Sequence, residues 1–162
     1  MTDLAAKFCW PVRVYYEDTD SGGVVYYANY LKFMERARTE WLRSLGLEQD
    51  KLIKEQGIIF AVYSVQVDYL KPALFNQLLL VSAEIIETGK ASFTFKQEVV
   101  VDKSVTNDPL NKKLTIKGEE SEAVSSDQVL CRGQIKIACL DASSMLPCAI
   151  PDLVCKEILG DC

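Results

Sequence analysis

Residues 15–46 read YYEDTDSGGVVYYANYLKFMERARTEWLRSLG. Three regimes follow one another within them. Tyr15 and Tyr16 close a short β-like run. The turn DTDSGG, residues 18–23, carries two aspartates and two glycines, which break regular structure. From Ala28 or Asn29 the pattern is helical. Tyr30, Phe33, Met34, Ala37, Trp41, Leu42 and Leu45 recur at three- and four-residue spacing, which marks one buried helix face. Lys32, Glu35, Arg36, Arg38 and Glu40 fall mainly on the rest of the cylinder. Asn29 suits either the N-cap or the first turn, and Gly46 suits the position just past the helix end. An apolar face this wide suits a helix wrapped by a sheet.

The flanking sequence supplies the strands. WPVRVYYE, residues 10–17, is β-branched and aromatic after a proline and predicts the first strand. Residues 47–57 predict a short helix or loop stopping at Gly57. IIFAVYSVQVDYL, residues 58–70, alternates, with Ile59, Ala61, Tyr63, Val65, Val67 and Tyr69 on one face. Lys71-Pro72 ends it. Residues 78–87 predict another strand, Gly89-Lys90 a hairpin tip, and residues 91–102 the next strand, with Phe93, Phe95, Val99 and Val101 on one face. Residues 103–128 are polar and long for a loop in a compact domain. They predict an extended excursion with a short strand at KKLTIKG, and their acids Glu119, Glu120 and Glu122 read as solvated. Residues 129–141 are the last strand. PDLVCKEILG, residues 151–160, predicts a short helix with Pro151 first, Gly160 as its stop and Leu153, Val154 and Ile158 docked on the body.

The chain of 162 residues thus predicts one α+β domain, a strand, a long helix and four more strands in an antiparallel sheet. One long helix covers only one face of such a sheet, so a homo-oligomer is expected. A net charge of −5 leaves no basic footprint for nucleic acid. No apolar run has the ~20 residues a membrane-spanning helix needs, and the first ten residues lack a signal-peptide core, so a cytoplasmic protein is expected. The six cysteines form no C-x-x-C and no zinc-ligand spacing, so they are expected as reduced thiols and no metal site is expected. Cys131 and Cys139 share a strand face and read as core. With no histidine in the chain, any general base is a carboxylate or, failing that, Lys, Tyr or Cys.

The opening stretch closely resembles the motif of hotdog-fold acyl-CoA thioesterases, of the type associated with the Tol–Pal system, with 4-hydroxybenzoyl-CoA thioesterases a more distant group. Asp-x-Asp-x-x-Gly-x-Val-Tyr followed by Glu-Arg-Ala-Arg is the specific part. The likeness continues through VDYLKPALFNQLLLV, residues 67–81, and into the last strand. It implies an antiparallel sheet around one long helix, pairing into dimers or tetramers with active sites between subunits. It implies acyl-CoA hydrolysis with Asp20 as the catalytic carboxylate. It calls for no cofactor, since coenzyme A is part of the substrate. Two departures stand out: many relatives carry His where this chain has Tyr27, and an acid is common at the place of Asn76.

Asp20 then serves either as general base toward water or as nucleophile. Amides at the helix start, around Tyr27 and Ala28, are placed to hold the oxyanion. Gly22 and Gly23 permit close approach of substrate. Glu17 and Asp18 read as structural, and both aspartates read from pattern alone as turn residues. Lys71, Lys90 and Arg132 are equally available for the phosphates of coenzyme A. The alternative is a non-catalytic module that binds acyl carrier protein in envelope or lipid metabolism.

Overall fold

Strands β1 (Phe8–Arg13), β2 (Ile58–Tyr69), β3 (Leu78–Thr88), β4 (Ser92–Val101) and β5 (Val129–Asp141) form one antiparallel sheet in the order β1-β3-β4-β5-β2. The helices are α1 (Asn29–Ser44), α2 (Gln49–Gln56) and α3 (Asp152–Leu159). The computed structural model describes residues 7–104 and 128–160. The excursion expected over 103–128, with its acidic cluster and KKLTIKG strand, lies almost wholly outside those residues. β3, β4 and β5 turn Leu79, Val81, Phe93, Phe95, Val99, Cys131, Ile135 and Cys139 toward α1, whose Phe33, Met34 and Ala37 are fully buried against them. This is the hotdog arrangement, a sheet curled around one long helix.

The end of α1 follows from Gly46. Its φ of +80° lets Leu47 N–H reach the Leu42 carbonyl (3.0 Å) while Gly46 N–H reaches that of Arg43 (3.0 Å). Leu42 and Leu47 are both buried, completing a Schellman motif with its apolar contact. Gly57 ends α2, also in the left-handed region, with its N–H reaching the Ile53 carbonyl (3.2 Å).

Several expectations change. β1 starts two residues earlier than predicted and ends at Arg13, because Asp18 pulls Tyr16–Asp18 into a 3-10 turn. Pro11 is accommodated because β1 lies at the sheet edge. Of the two places open to Asn29 it takes the first turn of α1: its buried side chain donates to the Asp18 carbonyl (2.9 Å), and Ala28 holds the cap position. Arg38 is buried rather than solvent-facing. Pro151 precedes α3 as its N-cap residue, and of the predicted docking face Val154 is buried while Leu153 is exposed.

The even alternation expected along β2 is also interrupted. Its pairing with β5 slips between Val62↔Ile137 and Ser64↔Lys136, leaving Tyr63 as an inserted residue. Before the bulge Phe60 and Val62 lie opposite the inward Cys139 and Ile137; after it Val65 and Tyr69 lie opposite the inward Ile135 and Cys131. Tyr63 points outward, with Lys136 Nζ 5.6 Å from its ring centre. Ile59 and Ala61 therefore do not share a face with Val65 and Tyr69.

Cys131 and Cys139 are buried core thiols, as expected, and burial pushes each up to about 12. Cys9, Cys131, Cys139 and Cys148 are free thiols.

Candidate active site

The two aspartates of the 18–23 turn do different jobs. Asp18 is buried. Its Oδ2 accepts the Tyr15 N–H (2.8 Å), and its carbonyl accepts both the Tyr26 N–H (2.9 Å) and Asn29 Nδ2 (2.9 Å). It is structural, as expected, and it ties the turn to the start of α1 through one oxygen. Glu17 is exposed. Asp20 is exposed as well, at the tip of a loop closed by Asp20 N–H to Val24 O (2.9 Å) and Gly23 N–H to Asp20 O (3.0 Å). A second anchor comes from Val25 N–H to Ala73 O (2.9 Å).

Within this loop the Asp20 carboxylate is aimed by its neighbour. Gly22 N–H donates to Oδ1 at 2.8 Å, and Oδ2 has no hydrogen-bond partner among the described residues. A Cβ on Gly22 would stand 3.1 Å from Oδ1, tighter than an ordinary contact. Gly23 has φ +76°, a conformation that other residues adopt only with strain.

Across the Asp18 carbonyl lies the helix start. Tyr27 is exposed, and Ala28 has no side-chain cap. Neither the Tyr27 nor the Ala28 N–H donates to another group among the described residues. They sit at the positive end of a 16-residue helix, where unpaired amides favour negative charge. Tyr30 belongs to the core: its hydroxyl accepts the Ala73 N–H (3.0 Å), and burial raises its pKa. The turn at Asn76 keeps its closure without an acid, since Gln77 Oε1 takes the Leu74 N–H (2.8 Å) and Asn76 adopts φ +69°.

One participant has no local signal in the sequence. Tyr69, the last residue of β2, donates its hydroxyl to the Tyr27 carbonyl at 2.9 Å. Its ring packs edge-on against Tyr27 and Tyr30, with centroids 6.1 and 5.5 Å away. Hydrophobic alternation marks it only as a strand residue.

The arrangement thus pairs a carboxylate that has one oxygen free with backbone donors at a helix N-terminus. That is equipment for nucleophilic or base-assisted attack on a carbonyl. No group of three His, Cys, Asp or Glu among the described residues is placed to hold a metal ion. Of the basic candidates, Arg132 is engaged by Glu98 (3.3 Å), which also holds Lys7 (3.1 Å).

Two cavities lie along α1, away from the loop. A small one of about 130 Å³ is walled by Phe60, Phe93, Phe95 and Ile137, with Glu35 and Arg38 on its polar side. A more open one of about 310 Å³ runs between α1 and β2 beside Leu31, Val62 and Val65. Neither includes Asp20, Gly22, Gly23, Tyr27 or Ala28. Within one chain the candidate carboxylate is therefore at a surface. No helix among the described residues is long and apolar enough to cross a membrane.

Residues 22–106 match the family described as the thioesterase superfamily. The chain is 38% identical over 144 residues to the acyl-CoA thioesterase YbgC of Haemophilus influenzae, covering 89% of this chain and 88% of that protein. It is 36% identical over 150 residues to the acyl-CoA thioester hydrolase YbgC of Escherichia coli O6:H1, covering 93% and 94%. In structure it is similar to a 1,4-dihydroxy-2-naphthoyl-CoA thioesterase from Synechocystis, with a TM-score of 0.72 at 22% identity over 94% of this chain and 95% of that one. That likeness is one of fold.

Proposed function

The chain belongs to the thioesterase superfamily, and on that footing we propose that it hydrolyses an acyl-CoA thioester to the free acid and coenzyme A. The observation that carries the proposal is Asp20: an exposed carboxylate, one oxygen fixed by Gly22 N–H, on a loop tied through Asp18 to the start of α1.

Asp20 either takes a proton from water, which attacks the thioester carbon, or attacks that carbon itself. The second route gives a mixed anhydride and a coenzyme A thiolate, and water then cleaves the anhydride. In both, negative charge gathers on the carbonyl oxygen and is met by the Tyr27 and Ala28 amides. A thiol ionises near pH ~8.5, far below an alcohol, so the thiolate departs without a strong general acid. The lack of histidine is then no obstacle. No cofactor is called for.

A second copy of the chain completes the site in this proposal. β2 is an edge strand, and Val62, Tyr63, Val65 and Tyr69 are exposed along it, with Leu31 of α1 alongside. A homodimer, alone or doubled to a tetramer, would cover them and give the surface carboxylate a second wall.

The test is Asp20→Asn against a panel of acyl-CoAs. A loss of at least ~10²-fold in kcat/KM is expected. An unchanged value in a folded protein would remove Asp20 from the chemistry. Single-turnover hydrolysis in labelled water separates the routes, because label in the Asp20 carboxylate requires the anhydride. Wild-type protein that binds acyl carrier protein yet cleaves no thioester would instead be a non-catalytic carrier-binding module.

A further inference from the structure

The end of β2 reaches back to the start of α1. Tyr69 and Tyr27 are 42 residues apart in sequence, yet the Tyr69 hydroxyl donates to the Tyr27 carbonyl at 2.9 Å. Although 46% of Tyr69 is exposed, its ring is flanked by those of Tyr27 and Tyr30. Tyr30 is in turn fixed by the Ala73 N–H. The phenol is held in place from two sides.

The carbonyl it holds belongs to the peptide that joins Tyr27 to Ala28. A trans peptide is planar, with its C=O and N–H pointing in opposite directions. No peptide bond among the described residues is cis. Fixing the Tyr27 oxygen therefore fixes the direction of the Ala28 N–H. A hydrogen bond accepted at the oxygen also withdraws density and makes the N–H a better donor, by about 10–30%.

We propose that Tyr69 is a positioning residue for thioester hydrolysis, aligning and polarising the Tyr27–Ala28 peptide so that the Ala28 N–H meets the oxyanion as it forms. This rests on the proposed oxyanion role of the helix-start amides. A donor already aimed at developing charge needs no reorganisation during the reaction, and that is where such a donor gains its effect. Tyr69 touches no reacting atom; it acts through the peptide. A mere tie between β2 and α1 would affect stability and leave turnover alone.

Tyr69→Phe keeps the ring and removes only the hydroxyl. Removing an oxyanion donor outright costs ~10²–10³ in kcat, so loosening one is expected to cost about tenfold. KM should stay within twofold, and the Ala28 amide 15N resonance should shift while those of β3 and β4 stay put. A kcat within twofold of wild type, or a change confined to KM, overturns the proposal. If Tyr69→Phe folds poorly, a fluorinated tyrosine at position 69 serves instead. Burial raises the pKa of Tyr69 itself, so the natural phenol stays a donor through neutral and mildly alkaline pH. The fluorinated ring ionises lower, and the alkaline limb of kcat should move down with it; an unmoved limb overturns the proposal. Asp20→Asn runs beside both. If it is fully active, the underlying reaction assignment fails; if it is dead while Tyr69→Phe matches wild type, only the role of Tyr69 fails.

Discussion

Arg38 Nη1 donates to Gln97 Oε1 at 2.9 Å, and both side chains are buried between α1 and the sheet. Gln97 also donates Nε2 to the carbonyls of Met34 (3.1 Å) and Ser82 (3.0 Å), so one amide links α1, β3 and β4. Burial lowers the Arg38 pKa to about 10, opposed by the nearby Glu35 charge.

Gln97→Leu should therefore be strongly destabilising. It strips the guanidinium of its acceptor and leaves two buried carbonyls short of a donor. An orphaned group costs ~1–3 kcal/mol; at the low end for each of the three, since a carbonyl oxygen has a second lone pair for another donor, about 3 kcal/mol is expected in total. At this chain length each kcal/mol moves Tm by ~2–4 °C, so calorimetry should record a fall of about 6–12 °C. An unchanged Tm would mean that the linkage carries no stability.

Gly22→Ala should separate activity from folding. The new Cβ would press on Asp20 Oδ1 from 3.1 Å, and a carboxylate at the end of a side chain moves more readily than backbone. Stability should change by less than ~1 kcal/mol. A displacement of a few tenths of an ångström should lower kcat by about 3–10-fold, given that 1 Å can cost ~10². Equal kcat in the two proteins would show that the fine aim of Asp20 is unimportant.

Asp141 gives a prediction in acid. Its Oδ1 accepts from Ser143 N (3.0 Å), Ser143 Oγ (2.6 Å), Ser144 N (2.8 Å) and Ser144 Oγ (3.0 Å). These bonds, led by that from Ser143 Oγ, lower its pKa from 3.8 to about 2. A depressed carboxyl stabilises the fold fully above its ordinary pKa and loses that contribution as pH falls through the folded value. Urea unfolding at several pH values should show Asp141→Ala weaker than wild type at pH 6, with the gap closing between about 4 and 2. A gap that does not change with pH would contradict the assignment.

Val65→Lys addresses assembly. Val65 is exposed beside α1 on the edge strand, where a second copy is proposed to pack. Light scattering should give wild type at twice the 18.2 kDa chain mass or more, and the variant mostly at the single mass. Activity should fall with it. A monomeric, fully active wild type would rule out a shared site.

The helix and the strands were legible because burial imposes periods of 3.6 and 2 on the sequence. The same logic misread Arg38. A charged residue on a helix flank normally faces water, and only the inward Gln97 on β4 makes its burial tolerable. Gln97 falls on the same strand face as Phe93, Phe95 and Val99, and periodicity alone assigns a polar residue there no partner. Asp18 and Asp20 are two residues apart and chemically identical, so the pattern leaves both as turn residues; their different hydrogen bonds appear only once the loop is closed. Asp20 was singled out by family resemblance. Tyr69 could not be found from sequence at all, because its partner is a backbone oxygen brought near by the sheet.

The inserted Tyr63 makes the length of β2 matter as much as its composition. Loops tolerate an added or lost residue, and a regular strand can slide by two. Here deleting Tyr63 would leave every pair of β2 with β5 in place, whereas drawing Tyr63 into the ladder would shift 58–62 by one and place Ala61 and Tyr63 where Phe60 and Val62 now sit. The contact of Phe60 with Phe93, centroids 5.4 Å apart, would be lost, and that aromatic ring would be turned outward. Deletion of Tyr63 should therefore be more frequent among viable variants than deletion of a paired residue such as Val67, a bias that deep mutational libraries can count.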